Sequence, residues 1–430
     1  MTTIARNTAL IPVPAADRLF GWRDHAALWL SLGVGLLVMQ VGAYLVPALG
    51  TKAALAAIVG GSVIGAGLLA WTAKIGCDSG LSSAGLMHAA YGSSFARLPV
   101  VLNIVQLIGW TTFELVVMRD GVLAIARQSG LLAPAVDAGA ATAGTGLPMP
   151  MVLVTLAFGA LLVALLMGTM VGLVRKFIGR FGLPLVILSL AWLSWQFLGK
   201  AQSMGWSAIW NRAGDGGMST LSALDLVIAM PISWLPLVAD FARHGRDGAS
   251  ALRGTWLGYA VANIWCYALG VLVALTTPST DLVAALLLAQ GGLVALGLIL
   301  IDEVDNAYGD LYSGSVAGHS LAPGWSTRQW GVQLAVLCTA LALVLPMHGL
   351  EPFLLMLSSV FVPLYGVILG RLAGRADVPS LVGAKRVDGS AVAIWLLGVA
   401  AFHLLPLVST QLGSALPTLA LTYVLARASR

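Results

Sequence analysis

The chain has 430 residues, of which 59% are hydrophobic and only 10% charged, far from the ~45–50% and ~25% usual in soluble domains. This excludes a water-soluble globular protein. The three cysteines, Cys77, Cys266 and Cys338, form no CxxC or Cys/His spacing, which argues against a disulfide framework or zinc site. The net charge of +5 calls for no nucleic-acid partner if loop charge explains it, as the distribution below indicates.

Residues 1–25 carry Arg6, Arg18 and Arg23 but no apolar core ending in a cleavage site, so they are expected to stay attached on the cytoplasmic side. Apolar stretches of ~20 residues, enough to cross a ~30 Å hydrocarbon core, recur from Ala26 onward. About twelve spans are expected, over 26–48, 53–73, 99–120, 150–174, 181–199, 221–242, 253–276, 291–316, 329–346, 352–370, 391–408 and 412–427. No connection is long enough for a soluble domain, and the longest, 128–149, is rich in Ala, Gly and Pro. Residues 26–430 therefore read as one all-α membrane domain.

Lys and Arg accumulate in cytoplasmic loops. With the N-terminus inside, the inner segments hold eighteen of them, from Arg6 to Arg430. The outer ones hold four, Lys52, Arg127, Lys200 and Arg212, with Arg119 near the outer end of the third span. That asymmetry predicts an even number of spans with both termini cytoplasmic in a cell's inner (plasma) membrane.

Two spans read as broken. The first places Gly33, Gly35, Gln40 and Gly42 at mid-membrane depth, and the sixth contains Pro231 and Pro236 around Ser233 and Trp234. Proline removes a backbone donor, which would free carbonyls near Met230 and Leu235. In lipid such groups survive only against protein or a water-filled cavity. Interrupted helices at corresponding positions of two halves mark transporter sites, and spans 1 and 6 stand five apart.

Ionisable residues inside spans are costly unless paired or lining a cavity. The third span carries Asn103, Gln106, Trp110 and Glu114 on one helical stripe. An indole one turn from a carboxylate offers a stacking surface beside an acceptor, which suits a planar heterocycle with N–H donors. The eighth span carries Asp302, Asp305, Asn306 and Gly309 at i, i+3, i+4 and i+7, with Glu303 about 100° away from that face; a solvated helix end is the alternative reading. His88 and His244 fall in inner loops and are expected at solvated surface. Asp240 to Asp247 closes the sixth span as an anchor or gate, and Arg119-Asp120 marks the outer interface.

Gly76-Cys-Asp-Ser-Gly80 through Tyr91-Gly92-Ser-Ser-Phe95-Ala-Arg97-Leu-Pro99, then Gly109-Trp110, resembles a motif series of the nucleobase:cation symporter-1 family. So do Ala239-Asp240-Phe241-Ala-Arg243-His-Gly245-Arg246 and Leu311-Tyr312-Ser313. The cytosine-permease and hydroxymethylpyrimidine-transporter branch is the most similar, over residues 20 to 320. The resemblance implies twelve helices in a five-plus-five inverted repeat (a leucine-transporter-like fold), with repeats over about 26–200 and 221–372 and two extra helices within 391–427. It implies alternating access and a substrate held between helices 1, 3, 6 and 8.

In that frame the stacking Trp matches Trp110 and the polar position one turn later matches Glu114, with Gln106, Gln40, Ser233, Trp234 and Asp302 completing the expected substrate set. The family's helix 6 aromatic falls at Pro231, so Trp234 or Tyr44 would supply the second stacking face. The family's sodium site falls on helix 1 carbonyls near Gly33 and Leu36, and its two helix 8 hydroxyls are replaced by Asp305 and Asn306, leaving Na+ or H+ as coupling ion. No other cofactor is implied. The expected function is import of hydroxymethylpyrimidine or cytosine. A purine, allantoin or hydantoin transporter of the same family is an alternative, as is a membrane-embedded enzyme, against which the absence of an HExxH or nucleophile-elbow motif speaks.

Overall fold

The computed structural model describes residues 7–133, 147–278, 281–345, 350–408 and 413–430. Most of the expected 128–149 connection and Arg6 lie outside the described residues. Each expected apolar stretch is wound into helix, as a backbone in hydrocarbon must satisfy its own polar groups. Span 1 is the pair Trp22–Ser31 and Leu36–Tyr44, bent by 61°. The following spans are Thr51–Ser79 (span 2), Arg97–Gln128 (3), Met149–Leu166 (4), Met170–Met204 (5), Thr220–Ala242 (6) and Gly248–Thr276 (7). The helices at the remaining expected positions are Gly292–Leu321 (8), Thr327–Val344 (9), Leu350–Leu372 (10), Gly389–Val408 (11) and Ala415–Ala428 (12). Among the described residues eight helices, or nine with the bent pair, are long and apolar enough to cross a membrane, and helices 8, 9 and 12 are not among them. Spans 4 and 5 divide at residues 167–169, earlier than expected, where Thr169 caps the next turn by accepting from Gly172 N.

Both termini lie at the same end. Asn7 Nδ2 donates to Ser320 O beyond the acids of span 8, and Ser82 Oγ donates to Ala9 O. Phe20 pairs with Gly245 in a short parallel bridge, and Arg427 Nη1 reaches Ala373 O. Most of the Lys/Arg excess gathers here. At the opposite end Thr51 N donates to Arg212 O and Asp225 accepts from the first amides of span 12.

The inner connection 80–97 is not open loop. Ser82 caps a short helix, Ser83–Tyr91, packed inside the termini end. His88 on that helix is therefore buried rather than solvated, and burial, with Arg97 nearby, lowers its imidazole to about 4. His244 is also partly enclosed, 3.4 Å from the Tyr312 hydroxyl. His244 is covered in part by Phe20, ring centroids 6.3 Å apart, a contact that hydropathy gives no reason to expect.

Span 1 lies along span 7 so closely that only glycine fits between them. A Cβ on Gly42 would meet Tyr267 O at 2.2 Å, and one on Gly270 would meet Met39 O at 2.0 Å. Small residues allow such backbone approach where no hydrophobic force holds helices together. Gly33 faces the same way: its Cβ would stand 2.8 Å from Ala262.

Span 6 is interrupted at Trp234 but runs on as one 23-residue span, less broken than the two prolines suggested. Carbonyls at the interruption find side-chain donors. Pro231 leaves Val227 O without its helical donor, and the Tyr267 hydroxyl stands 3.5 Å away; Met230 O accepts from Ser233 Oγ at 2.7 Å.

Candidate functional site

Span 3 divides its polar stripe between two tasks. Asn103 Nδ2 donates to Pro236 O at 2.9 Å, and Gln106 Nε2 donates to Ser233 O at 3.1 Å and to Asn103 Oδ1 at 3.0 Å. These amides fasten span 3 to span 6 on both sides of its interruption. One turn further along, Trp110 and Glu114 enter a cavity lined also by Ser233, Trp234 and the break of span 1. Trp110 is held edge-on by Phe353, ring centroids 5.2 Å apart at 71°, and Trp234 packs edge-on against Trp29 at 5.8 Å. Two indoles fixed by their neighbours thus stand at one cavity.

The break of span 1 is tied to span 8 at three of its polar groups. Leu36 N, the first amide of the second half, donates to Glu303 Oε1 at 2.5 Å. Val34 O accepts from Asn306 Nδ2 at 3.0 Å. Ser31 Oγ, ending the first half, donates toward Asp302 Oδ1 at 2.9 Å and Asp305 Oδ2 at 2.7 Å. A hydroxyl carries one hydrogen, so the second of those short contacts needs a proton or another cation from elsewhere.

Span 8 presents two acidic stripes, not one. Glu303, Asn306 and Asp310, at i, i+3 and i+7, line the cavity with Trp110 and Glu114. Asp302 and Asp305 turn toward Ser31 and border a separate, mainly apolar space with Ile178, Phe181 and Val186 of span 5. All four acids are buried in the middle of a 30-residue helix, so a solvated helix end is ruled out. Glu303, set aside in the sequence because it leaves the Asp302 face, is the acid that meets the helix break, and Asp310 went unremarked. The i, i+3, i+7 spacing of Glu303, Asn306 and Asp310 was a usable signal for both.

The structure therefore brings Trp110, Glu114, Ser233 and Trp234 of the expected substrate set together at the cavity, with Gln106 directly behind Ser233. Asp302 lies outside it, at Ser31. Gln40 lies outside it as well, one helical turn from Tyr44, and both border an open cleft at the end away from the termini. Tyr44 is half-exposed, which leaves Trp234 as the aromatic opposite Trp110. Pro231, where the resemblance puts an aromatic, packs onto span 2: a Cβ on Gly65 would stand 2.2 Å from its ring. Of the expected cation set, Gly33 and Leu36 sit at the break of span 1, and Asp305 and Asn306 face it from span 8. Among the described residues no three His, Cys, Asp or Glu side chains converge to hold a metal ion. The cavity is about 30 Å³, enough for roughly two waters and too small for a ring.

Toward the termini end Asp240 accepts from Ser83 N at 3.1 Å and from Ser313 Oγ at 2.5 Å. The motif after span 6 is thereby fastened to span 8 and the short helix beneath the cavity. Arg119, expected at the outer interface, is buried and donates to Asp120 and Ala342 O.

The fold and sequence can be set beside known proteins. Residues 12–426 match the family model described as permease for cytosine/purines, uracil, thiamine, allantoin. The cytosine permease of Escherichia coli strain K12 is 29% identical over 247 residues, 52% of this chain and 58% of the permease, so the match spans little more than half the length of that relative. Among solved structures, Mhp1, a nucleobase-cation-symport-1 family transporter in a closed conformation with bromovinylhydantoin bound, superimposes with a TM-score of 0.79 at 16% identity. That overlap covers 99% of this chain and 94% of Mhp1. A Na+-coupled sialic acid symporter gives 0.64 at 11% identity, over 100% of this chain and 91% of the symporter. These likenesses show a leucine-transporter-like fold, and the nearly full-length family match establishes that the chain belongs to the family of permeases for cytosine/purines, uracil, thiamine and allantoin.

Proposed function

We propose that the protein is a secondary transporter importing a pyrimidine-type heterocycle that bears an amino group, of the hydroxymethylpyrimidine or cytosine kind, by alternating access. The observation that carries this reading is the meeting of Trp110, Trp234 and Glu114 at one buried cavity beside two interrupted helices. Indole faces take a flat ring by stacking, and the carboxylate takes its N–H donors. The cytosine permease relative supports the ring class. A sugar or fatty acid would leave the indoles and Glu114 poorly used.

The coupling ion is a proton held by Asp302 and Asp305 at Ser31. One hydroxyl hydrogen cannot serve two carboxylates, and an ionised pair at this depth must be neutralised. Protonation closes the break of span 1 onto span 8 and so links ion to conformation. The protein sits in an inner (plasma) membrane with its basic end, and both termini, cytoplasmic.

The test is counterflow in proteoliposomes together with ligand-induced thermal shifts over pyrimidines, purines and hydantoins. Saturable exchange of an aminopyrimidine, lost with the thermal shift in Trp110→Ala, is the expected result. Exchange confined to purines or hydantoins, or unaltered in Trp110→Ala, would overturn the assignment.

A further inference from the structure

The cavity between spans 1, 3, 6 and 8 is lined by acidic side chains, and no basic group stands in its wall. Glu114, Glu303 and Asp310 line it, and no Lys, Arg or His is among its lining residues. Glu303 is engaged by Leu36 N and Asn306. Glu114 Oε2 and Asp310 Oδ2 are buried without a hydrogen-bond partner, on residues only 4% and 2% exposed. The guanidinium of Arg119, on the same helix as Glu114, is taken by Asp120 and Ala342 O, and that of Arg243 stands at Tyr312.

Two carboxylates held out of water with free oxygens demand positive charge or protons. The remaining wall favours charge carried on a ring, because indole faces attract a cation through their quadrupole, most strongly when water is excluded. We propose that the transported species is a cationic heterocycle, a pyridinium- or pyrimidinium-type ring with an amino group, stacked at Trp110 and Trp234 and neutralised by Glu114 and Asp310. This rests on the substrate reading above and narrows it. A neutral aminopyrimidine offers the same donors and the same ring, yet leaves both acids to be neutralised by protons alone. A ring cation supplies one positive charge, so only one of the two acids must keep a proton. Asp302 and Asp305 stay outside this arrangement, on the other stripe of span 8, so substrate charge and coupling charge are held in separate places.

The experiment uses the purified full-length chain in proteoliposomes near pH 8. The neutral probe is 4-amino-2-methylpyrimidine, and the cationic probes are its N-methylated pyrimidinium and 4-aminopyridine, which is protonated there. At least one cation is expected to bind about tenfold or more tightly than the neutral ring, the scale of one charge-assisted contact. Glu114→Gln and Asp310→Asn should each shrink that preference several-fold while changing neutral-ring affinity much less. Uptake of the preferred cation should rise with a negative-inside potential. Neutral-ring binding as tight as that of both cations would overturn this inference and leave the transporter reading standing, as would an undiminished preference in both variants. Failure of every heterocycle to bind would overturn both. If Asp310→Asn does not fold, Glu114→Gln decides alone.

Discussion

Glu303→Ala should unfasten the break of span 1. Its carboxylate accepts the first amide of Leu36–Tyr44 at 2.5 Å, and its residue is 1% exposed, so in the Ala variant only the few waters that fit the adjoining cavity can reach that amide. A hydrogen bond to a charged acceptor contributes ~1.5–3 kcal/mol, and a buried donor left unsatisfied costs ~1–3 kcal/mol. These overlap, which puts the loss near 2–4 kcal/mol. Glu303→Gln keeps an acceptor at the same place and should lose less than half as much. Hydrogen exchange resolved at Leu36 reads this directly: at 1.4 kcal/mol per decade, protection should fall by roughly 30- to 1,000-fold in the Ala variant. A Leu36 amide equally protected in Glu303→Ala would show that the break is closed by the flanking packing alone.

Three further expectations follow from the same geometry. Asp305→Asn should abolish accumulation driven by a proton gradient while sparing substrate exchange, measured as uptake against counterflow in one liposome preparation; concentrative uptake by the variant would move coupling away from Ser31. A reporter fused after Arg430 should read cytoplasmic, and a periplasmic reading would invert the assigned orientation. His244, in the loop after span 6, is held down to about 3 by burial, with Arg243 and His25 adding to the shift. Its folded form therefore binds fewer protons than the unfolded chain between its ordinary value of 6.5 and about 3. Stability should thus fall as pH drops through that window. His244→Gln should flatten the decline in thermal unfolding between pH 7 and 5, and an unchanged slope would assign it to other groups.

Membrane residence, the helical class, the span positions and the end that collects positive charge were legible in the chain itself. Each is set by the local transfer of about twenty residues between water and hydrocarbon, so no knowledge of neighbours is needed. Trp110 and Glu114 were legible for a related reason: a carboxylate one turn from an indole in an apolar helix is an exception whatever surrounds it. The assignment of acids on span 8 was not. Asp302, Glu303, Asp305 and Asp310 all violate the same rule, and periodicity groups them into stripes but gives the helix no absolute rotation. Only packing against Ser31 on one side and the Leu36 amide on the other sent Asp302 away from the cavity and Glu303 into it. Span 6 behaved likewise, because its prolines announced an interruption, but the amides of Asn103 and Gln106 that bond the carbonyls of Pro236 and Ser233 there come from a helix more than a hundred residues earlier. A lone helix can show what it lacks; which partner supplies it depends on contacts that exist only when the bundle has closed.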